Sequence, residues 1–345
     1  MSEVAQTFLD QTLTDLDGNG LKRTLRQLSG AQGRRVTVDG RKVLNFCSNN
    51  YLGLADDARL GQAAAESIEK DGFGAGASRL VCGNMTAHQK LEEAIARFKG
   101  AESCLVFSTG YMANVGIISS VFGRDDIIFS DRLNHASIVD GIQLSRAQCR
   151  RYAHRDMRAL EEMLKASGPC RKRGIVTDSV FSMDGDIAPL DEIVALARRY
   201  NCLVMIDEAH ALGVMGENGR GLAEHFGVES EIDIQMGTLS KAAGSFGAYC
   251  CGSKDLTAFL VNKARSFVYT TAMPPSVAAA SLRAVEIIET EPDRRARLWE
   301  NTRAMHRGLK EMGFNTMDSQ MPVIPVVLGD ASMAVEFSKR LLDAG

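Results

Sequence analysis

The sequence predicts an α/β protein: one large, mostly parallel sheet covered by helices on both faces, followed by a smaller α/β unit. Three observations carry this. The chain has 345 residues, of which 45% are hydrophobic, enough for a sizeable core and about two folding units. From residue 100, short apolar runs without clean alternation are separated by polar loops and helix-period stretches, the pattern of strands buried on both faces. Glycine is abundant at 32 and proline scarce at 7, which suits tight strand-to-helix turns. Charge is balanced, with 40 Lys and Arg against 43 Asp and Glu, so there is no global pull toward nucleic acid or anionic lipid.

Residues 1–30 read as an amphipathic helical lead-in carrying Lys22, Arg23 and Arg26. No basic segment followed by an apolar stretch marks a signal peptide, and no run approaches 18 apolar residues. The eight cysteines form no CxxC pair, so no metal site is expected and a cytoplasmic, reducing setting is. Val36–Val38, Asp39-Gly40 and Lys42–Leu44 read as a hairpin, because Asp-Gly supplies the positive φ angles of a two-residue turn. Strands are expected at Cys104–Phe107, Asp126–Ser130, Gly174–Asp178, Cys202–Ile206, Ile232–Met236 and Ala248–Cys251. Helices are expected at Met112–Val121, Asp156–Ala166 and Leu190–Tyr200. The charged stretch ETEPDRRAR, around Thr290–Arg297, marks a boundary. Beyond it come helix Leu298–Met312, strand Pro322–Leu328 and helix Ser332–Ala344. The division is then 1–45 for the helix and hairpin, 46–290 for the large unit and 291–345 for the small one.

In open α/β sheets, ligands sit beyond the carboxyl ends of the strands. Cys202–Ile206 leads into Asp207-Glu208-Ala209-His210. A helicase reading of DEAH needs a GxxxxGK(S/T) loop, and none exists. Ile232–Met236 leads into Gly237-Thr238-Leu239-Ser240-Lys241 and a small-residue loop, the arrangement a Schiff-base lysine requires. A solvated lysine and a turn-capping aspartate are the ordinary fates of such residues. Their pairing on successive strands outweighs both. Cys104–Phe107 leads into Ser108-Thr109-Gly110-Tyr111 and a helix N-terminus, an anion site in principle. His135 and Ser182 fall at the ends of two further strands, where His135 can stack on an aromatic ligand.

Taken together, LNFCSNNYLGLA, GFGAGASRLVCGN, HQKLEEAIARFKG, SDRLNHASIVDG, VFSMDGDIAPL, IDEAHALGVMGENGRG, GTLSKAAGSFG and YTTAMPP resemble the α-oxoamine synthase family of fold-type-I, aspartate aminotransferase-like enzymes that use pyridoxal 5′-phosphate. The resemblance covers nearly the whole chain. It implies a decarboxylative condensation of an amino acid with an acyl-CoA. AQGRRVTVDGRKVLNFCSNNYLGL and YTTAMPP favour L-alanine with pimeloyl-CoA, ahead of glycine with acetyl-CoA or serine with palmitoyl-CoA. Lys241 would carry the cofactor and Asp207 would keep its ring nitrogen protonated. His135 would stack on the ring, with Ser182 and His210 on its hydroxyl side. Thr238 and the Gly110 and Tyr111 amides would hold the phosphate, with Thr270 or Thr271 of a second subunit in an expected homodimer. Asn49 would meet the amino acid, and Arg26, ahead of Arg23, the far carboxylate of the acyl chain. The family also has an arginine for the substrate's α-carboxylate past a segment like PVIPVVLGDASMAVEFSKRLLDAG. The given sequence ends before it, so the small unit is expected to be incomplete. A fragment or non-catalytic partner subunit is therefore the reading from another class, and an ordinary aminotransferase the reading from another enzyme class.

Overall fold

The computed structural model describes residues 1–345. Helix α1 (Glu3–Gly18) leads in, capped by Ser2, and buries no residue. The expected lead-in helix is thus shorter than 1–30: Leu21–Gln27, with Arg26, is irregular and exposed. Strands β1 (Leu28–Ser29), β2 (Arg35–Val38) and β3 (Arg41–Leu44) form a small antiparallel sheet. Its turn is the expected Asp39-Gly40 pair, at φ 48° and 83°. Helices α2 (Ala58–Asp71) and α3 (Thr86–Lys99) follow.

The large sheet begins with β4 (Ser103–Phe107), then α4 (Gly110–Val121), β5 (Ile127–Asp131), α5 (Ala136–Ser145), β6 (Gln148–Tyr152), α6 (Met157–Lys165), β7 (Arg173–Asp178), α7 (Leu190–Tyr200), β8 (Cys202–Asp207), α8 (Leu222–Phe226), β9 (Ile234–Thr238) and β10 (Ala248–Gly252). The spatial order is β4-β10-β9-β8-β7-β5-β6; only β10 runs antiparallel to its neighbours. Strand β6, absent from the sequence reading, is an edge strand of sequence QCRRY with one buried residue, so it carries no apolar run. Strand β9 starts and ends two residues later than expected. This brings Gly237 and Thr238 into the ladder, paired with Tyr249 and Ala248.

Successive strand residues enter opposite cores. Leu105, Ile128, Val176, Met205, Ile234 and Cys250 pack against α4 and α5, while Val106, Phe129, Ile175, Val204 and Cys251 join the larger core with α3, α6 and α7. Burial on both faces is why these strands read as continuous apolar runs.

Helices α9 (Lys254–Lys263), α10 (Arg265–Val268) and α11 (Pro275–Thr290) complete the large unit, with α11 lying along α2 and α3. Helix α12 (Pro292–Glu311) starts directly after it. ETEPDRRAR is therefore a helix–helix junction. Pro292 sits at the first helical position, where its missing N–H costs nothing, and Glu291 alone is non-helical. Pro322–Leu328, expected as a strand, is irregular. No strand of either sheet pairs with it, and Pro322 and Pro325 lack the N–H a ladder needs. Helix α13 (Ala331–Asp343) returns to the N-terminal hairpin, where Leu342 packs on Val36, Val38 and Val43.

Candidate active site

The parallel strands β5, β7, β8 and β9 end on one edge of the sheet, and their loops form the site. Asp178 and Asp207 are register partners at the ends of β7 and β8. Both are buried. Asp207 Oδ2 accepts from Asn114 Nδ2 at 2.7 Å and Oδ1 from the Ala209 N–H at 2.9 Å. Asp178 accepts from the His135 N–H at 2.7 Å. Burial first, and the Asp207 charge second, push the Asp178 carboxyl well above the usual range. Neither carboxylate has a Lys, Arg or His side chain in ion-pair contact.

Lys241 follows β9, half-buried. Its Nζ lies 2.7 Å from His210 Nε2, and His210 Nδ1 lies 2.7 Å from the Tyr51 hydroxyl. Burial depresses the lysine pKa, against the opposing pull of Asp207 and Asp178. Burial also pushes His210 down to about 3, helped by the positive charges of Lys241 and His135. Tyr51 hydroxyl donates to Asn49 Oδ1 at 3.3 Å, which ties the exposed Asn49 to the same cluster. The loop after Lys241 is pressed onto this segment. Gly244, at φ 62°, approaches so closely that a Cβ there would lie 2.3 Å from the Ala55 backbone nitrogen.

Helix α4 points its N-terminus at the cleft. Thr109 caps it by accepting from the Met112 N–H at 3.1 Å, and Gly110 and Tyr111 head the first turn, where N–H groups have no intrahelical acceptor. Gly110 sits over β9: a Cβ would come within 3.3 Å of Met236. The Tyr111 hydroxyl bonds to Asp140. Thr238 donates its proton to the Gly247 carbonyl at 2.8 Å, and the Ser240 hydroxyl leans on the same oxygen at 3.3 Å. His135 caps α5 by accepting from the Ser137 N–H, and its ring is otherwise exposed to the cleft. Ser182 is half-buried in the turn between Phe181 and Asp186. Thr270 and Thr271 border a small cavity with Ser108 at the end of β4. Arg26 is not brought to this cluster.

Four residues with a part in the cluster escaped the sequence reading, Tyr51 among them. Asp178 lay in plain view, one strand over from Asp207, and the same strand-end rule would have found it. Asn114 sits one turn into α4 and bridges Asp207 to Ser137 at 2.7 and 2.9 Å; nothing in its local sequence marks it. His154, after β6, lies between Asp131 (2.9 Å) and Asp186 (2.8 Å), tying the loop of His135 to the turn of Ser182. Burial disfavours its charged form, yet the two carboxylates outweigh this and raise its pKa.

The residues fit a flat, cationic heteroaromatic ring bearing an anionic group. Two buried carboxylates without a cation, an amine 2.7 Å from a neutral imidazole, and free helix N–H groups meet in one cleft, and the buried Asn114 Oδ1 has no partner.

This fold and this strand-end cleft define a class. The chain belongs to the class I and II aminotransferase family, whose model matches residues 41–345. Within it, the chain is 52% identical to the 8-amino-7-oxononanoate synthase of Citrifermentans bemidjiense over 342 residues, 99% of this chain and 87% of that protein. A serine palmitoyltransferase from S. paucimobilis, solved with a bound PLP–myriocin aldimine, is 32% identical with a TM-score of 0.93, covering 100% of this chain and 91% of that one. The 8-amino-7-oxononanoate synthase of Francisella tularensis is 31% identical with a TM-score of 0.76, covering 87% and 85%. No helix is long and apolar enough to cross a membrane.

Proposed function

We propose that this chain binds pyridoxal 5′-phosphate and condenses L-alanine with pimeloyl-CoA, releasing CO₂ and CoA and forming 8-amino-7-oxononanoate, a step of biotin biosynthesis. The observation that carries the reading is that Asp207 ends β8 while Lys241 follows the adjacent β9, in this family's fold. Near-full-length relatives of about half identity carry that enzyme's name.

When bound, the cofactor supplies an electron sink for charge developing at the amino acid Cα. The chain's own residues do the rest. Asp207, fixed by Asn114 and Ala209, holds the proton on a ring nitrogen. Lys241 would hold the cofactor, and its Nζ would take the Cα proton. Its depressed pKa keeps a share of the amine neutral, as a base near neutrality needs. His135 covers the ring, while Ser182 and His210 line its hydroxyl side. The Gly110 and Tyr111 amides hold the phosphate, with Thr238 joining once its hydroxyl turns from Gly247. Asn49 orients alanine. Arg26 meets the distal carboxylate, which requires Leu21–Gln27 to fold over the cleft. A homodimer in the cytoplasm completes the reading: Thr270 and Thr271 of one copy serve the phosphate of the other. Residues 46–290 form the cofactor unit, and 291–345 and the N-terminal 1–45 close over it.

A CoA-release assay tests this directly. Alanine with pimeloyl-CoA is expected to exceed glycine with acetyl-CoA and serine with palmitoyl-CoA by at least about tenfold in kcat/KM, the discrimination that a few apolar contacts supply. Preference for serine with palmitoyl-CoA would move the substrate reading to that of the structural neighbours. Absence of release with every pair would remove it.

A further inference from the structure

Asn49 and Tyr51 precede α2, and His210 follows β8, yet they meet at Lys241. The Tyr51 hydroxyl is 2.7 Å from His210 Nδ1 and 3.3 Å from Asn49 Oδ1, and His210 Nε2 is 2.7 Å from Lys241 Nζ. Proton counting restricts this chain. A neutral imidazole has one donor and one acceptor, an ammonium only donates, and the Asn49 carbonyl oxygen only accepts. Burial keeps His210 neutral and the Tyr51 hydroxyl protonated. With Lys241 charged, Nε2 must accept, so Nδ1 carries the hydrogen and donates to Tyr51, which donates to Asn49. With Lys241 neutral, its lone pair can accept from Nε2–H, and Nδ1 then accepts from Tyr51. The charged lysine therefore fixes one tautomer of the histidine, and the neutral lysine frees the other.

We propose that Tyr51 is a positioning residue that works through His210 as a proton relay for Lys241, switching the imidazole tautomer whenever the lysine amine changes charge. The step balances. One proton leaves Nζ for Nε2, the Nδ1 proton passes to the Tyr51 oxygen, and the former Tyr51 proton passes to a water on the exposed Asn49 side. Only N–H and O–H bonds break and form. The other groups facing the pair are Asp178 from β7, Asp207 from β8 and His135 from the start of α5. The relay rests on the reading of Lys241 as cofactor lysine and base.

The test uses the full chain freed of pyridoxal 5′-phosphate, with ¹⁵N NMR of His210 and Lys241 across pH. In the unsubstituted protein, His210 is expected to pass from the Nδ1–H to the Nε2–H tautomer at the pH where Lys241 loses its proton. In Tyr51→Phe, charging the lysine would strand a buried Nδ1–H, so the lysine is expected to deprotonate about one pH unit lower, the size of one unmade buried hydrogen bond. A single tautomer through the whole lysine titration would overturn the relay, and so would an unchanged lysine midpoint in Tyr51→Phe. If Tyr51→Phe does not fold, the tautomer measurement on the unsubstituted chain decides alone. Adding pyridoxal 5′-phosphate separates the two readings: an adduct on Lys241 without a tautomer switch sinks the relay and leaves the cofactor reading standing, whereas a switch without an adduct sinks the cofactor reading and takes the catalytic relay with it.

Discussion

Asp207 and Glu208 are neighbours in sequence, both buried at the end of β8, and they are treated in opposite ways. Glu208 is 0% exposed and bonds to the Lys99 ammonium, itself 2% exposed; it also accepts from the Ala223 N–H at 3.1 Å, while Lys99 reaches the Arg220 carbonyl. That pair is closed. Asp207 receives only neutral donors, Asn114 and the Ala209 amide, and its neighbour across the ladder is another carboxylate, Asp178. The fold thus completes one buried anion for stability and leaves the next one ready for a cation. A burial scale sees two similar residues. The donors around them separate a charge closed by an ammonium from one that meets only neutral donors.

Substitutions on the two sides break or sharpen this contrast. Lys241→Ala has the largest expected effect: a fall in turnover of about 10³-fold or more, the range of a lost acid–base and covalent group, with unchanged circular dichroism. Lys99→Met should cost about 3–5 kcal/mol in chemical denaturation, because it strands Glu208 as an unpaired buried charge. Asp178→Asn should act in the other direction. A carboxyl whose folded pKa is raised binds its proton more tightly in the native state, so stability falls as pH rises above the unfolded value of about 4. Removing it should raise the melting temperature of the cofactor-free chain at pH 7 by about 2 °C or more, and the gain should vanish below pH ~4.

His154→Gln should cost about 1 kcal/mol. The native pKa of His154 is raised by Asp131 and Asp186, with Arg155 beside them on the Asp186 carboxylate. Its contribution is therefore complete below about pH 6.5 and fades as pH climbs through the native value. Urea midpoints at pH 6 and pH 9 should show the larger loss at pH 6. Removal of residues 1–18 should change stability least, by under about 0.5 kcal/mol, because α1 buries no residue. A large loss there would mean that α1 docks elsewhere.

The sheet and the positions of its central strands were legible because both faces are buried, which writes each central strand as an apolar run; the order of the strands was not read. Strand β6 was not, since its edge position permits Gln148, Arg150 and Arg151. Pro322–Leu328 failed in the opposite sense: Val323, Val326 and Val327 have strand propensity, but a strand exists only with a partner. In the cleft, the positions of Lys241, Asp207 and His135 were readable because each lies at or just past the end of a strand. Tyr51, Asn114 and His154 were not, because each acts through a contact more than 20 residues away in sequence. Arg26 was read from the family pattern, and its stretch of chain is irregular and exposed.

The central claim is that Asp207 is a buried anion held for the cofactor's ring nitrogen. Melting curves of the unsubstituted chain and Asp207→Asn, each with and without saturating pyridoxal 5′-phosphate, test it most directly. The account predicts that the cofactor-free variant is at least as stable as the parent, yet loses most of the rise in melting temperature that the cofactor gives. A variant that unfolds readily without the cofactor, or one that keeps the full rise, would contradict it.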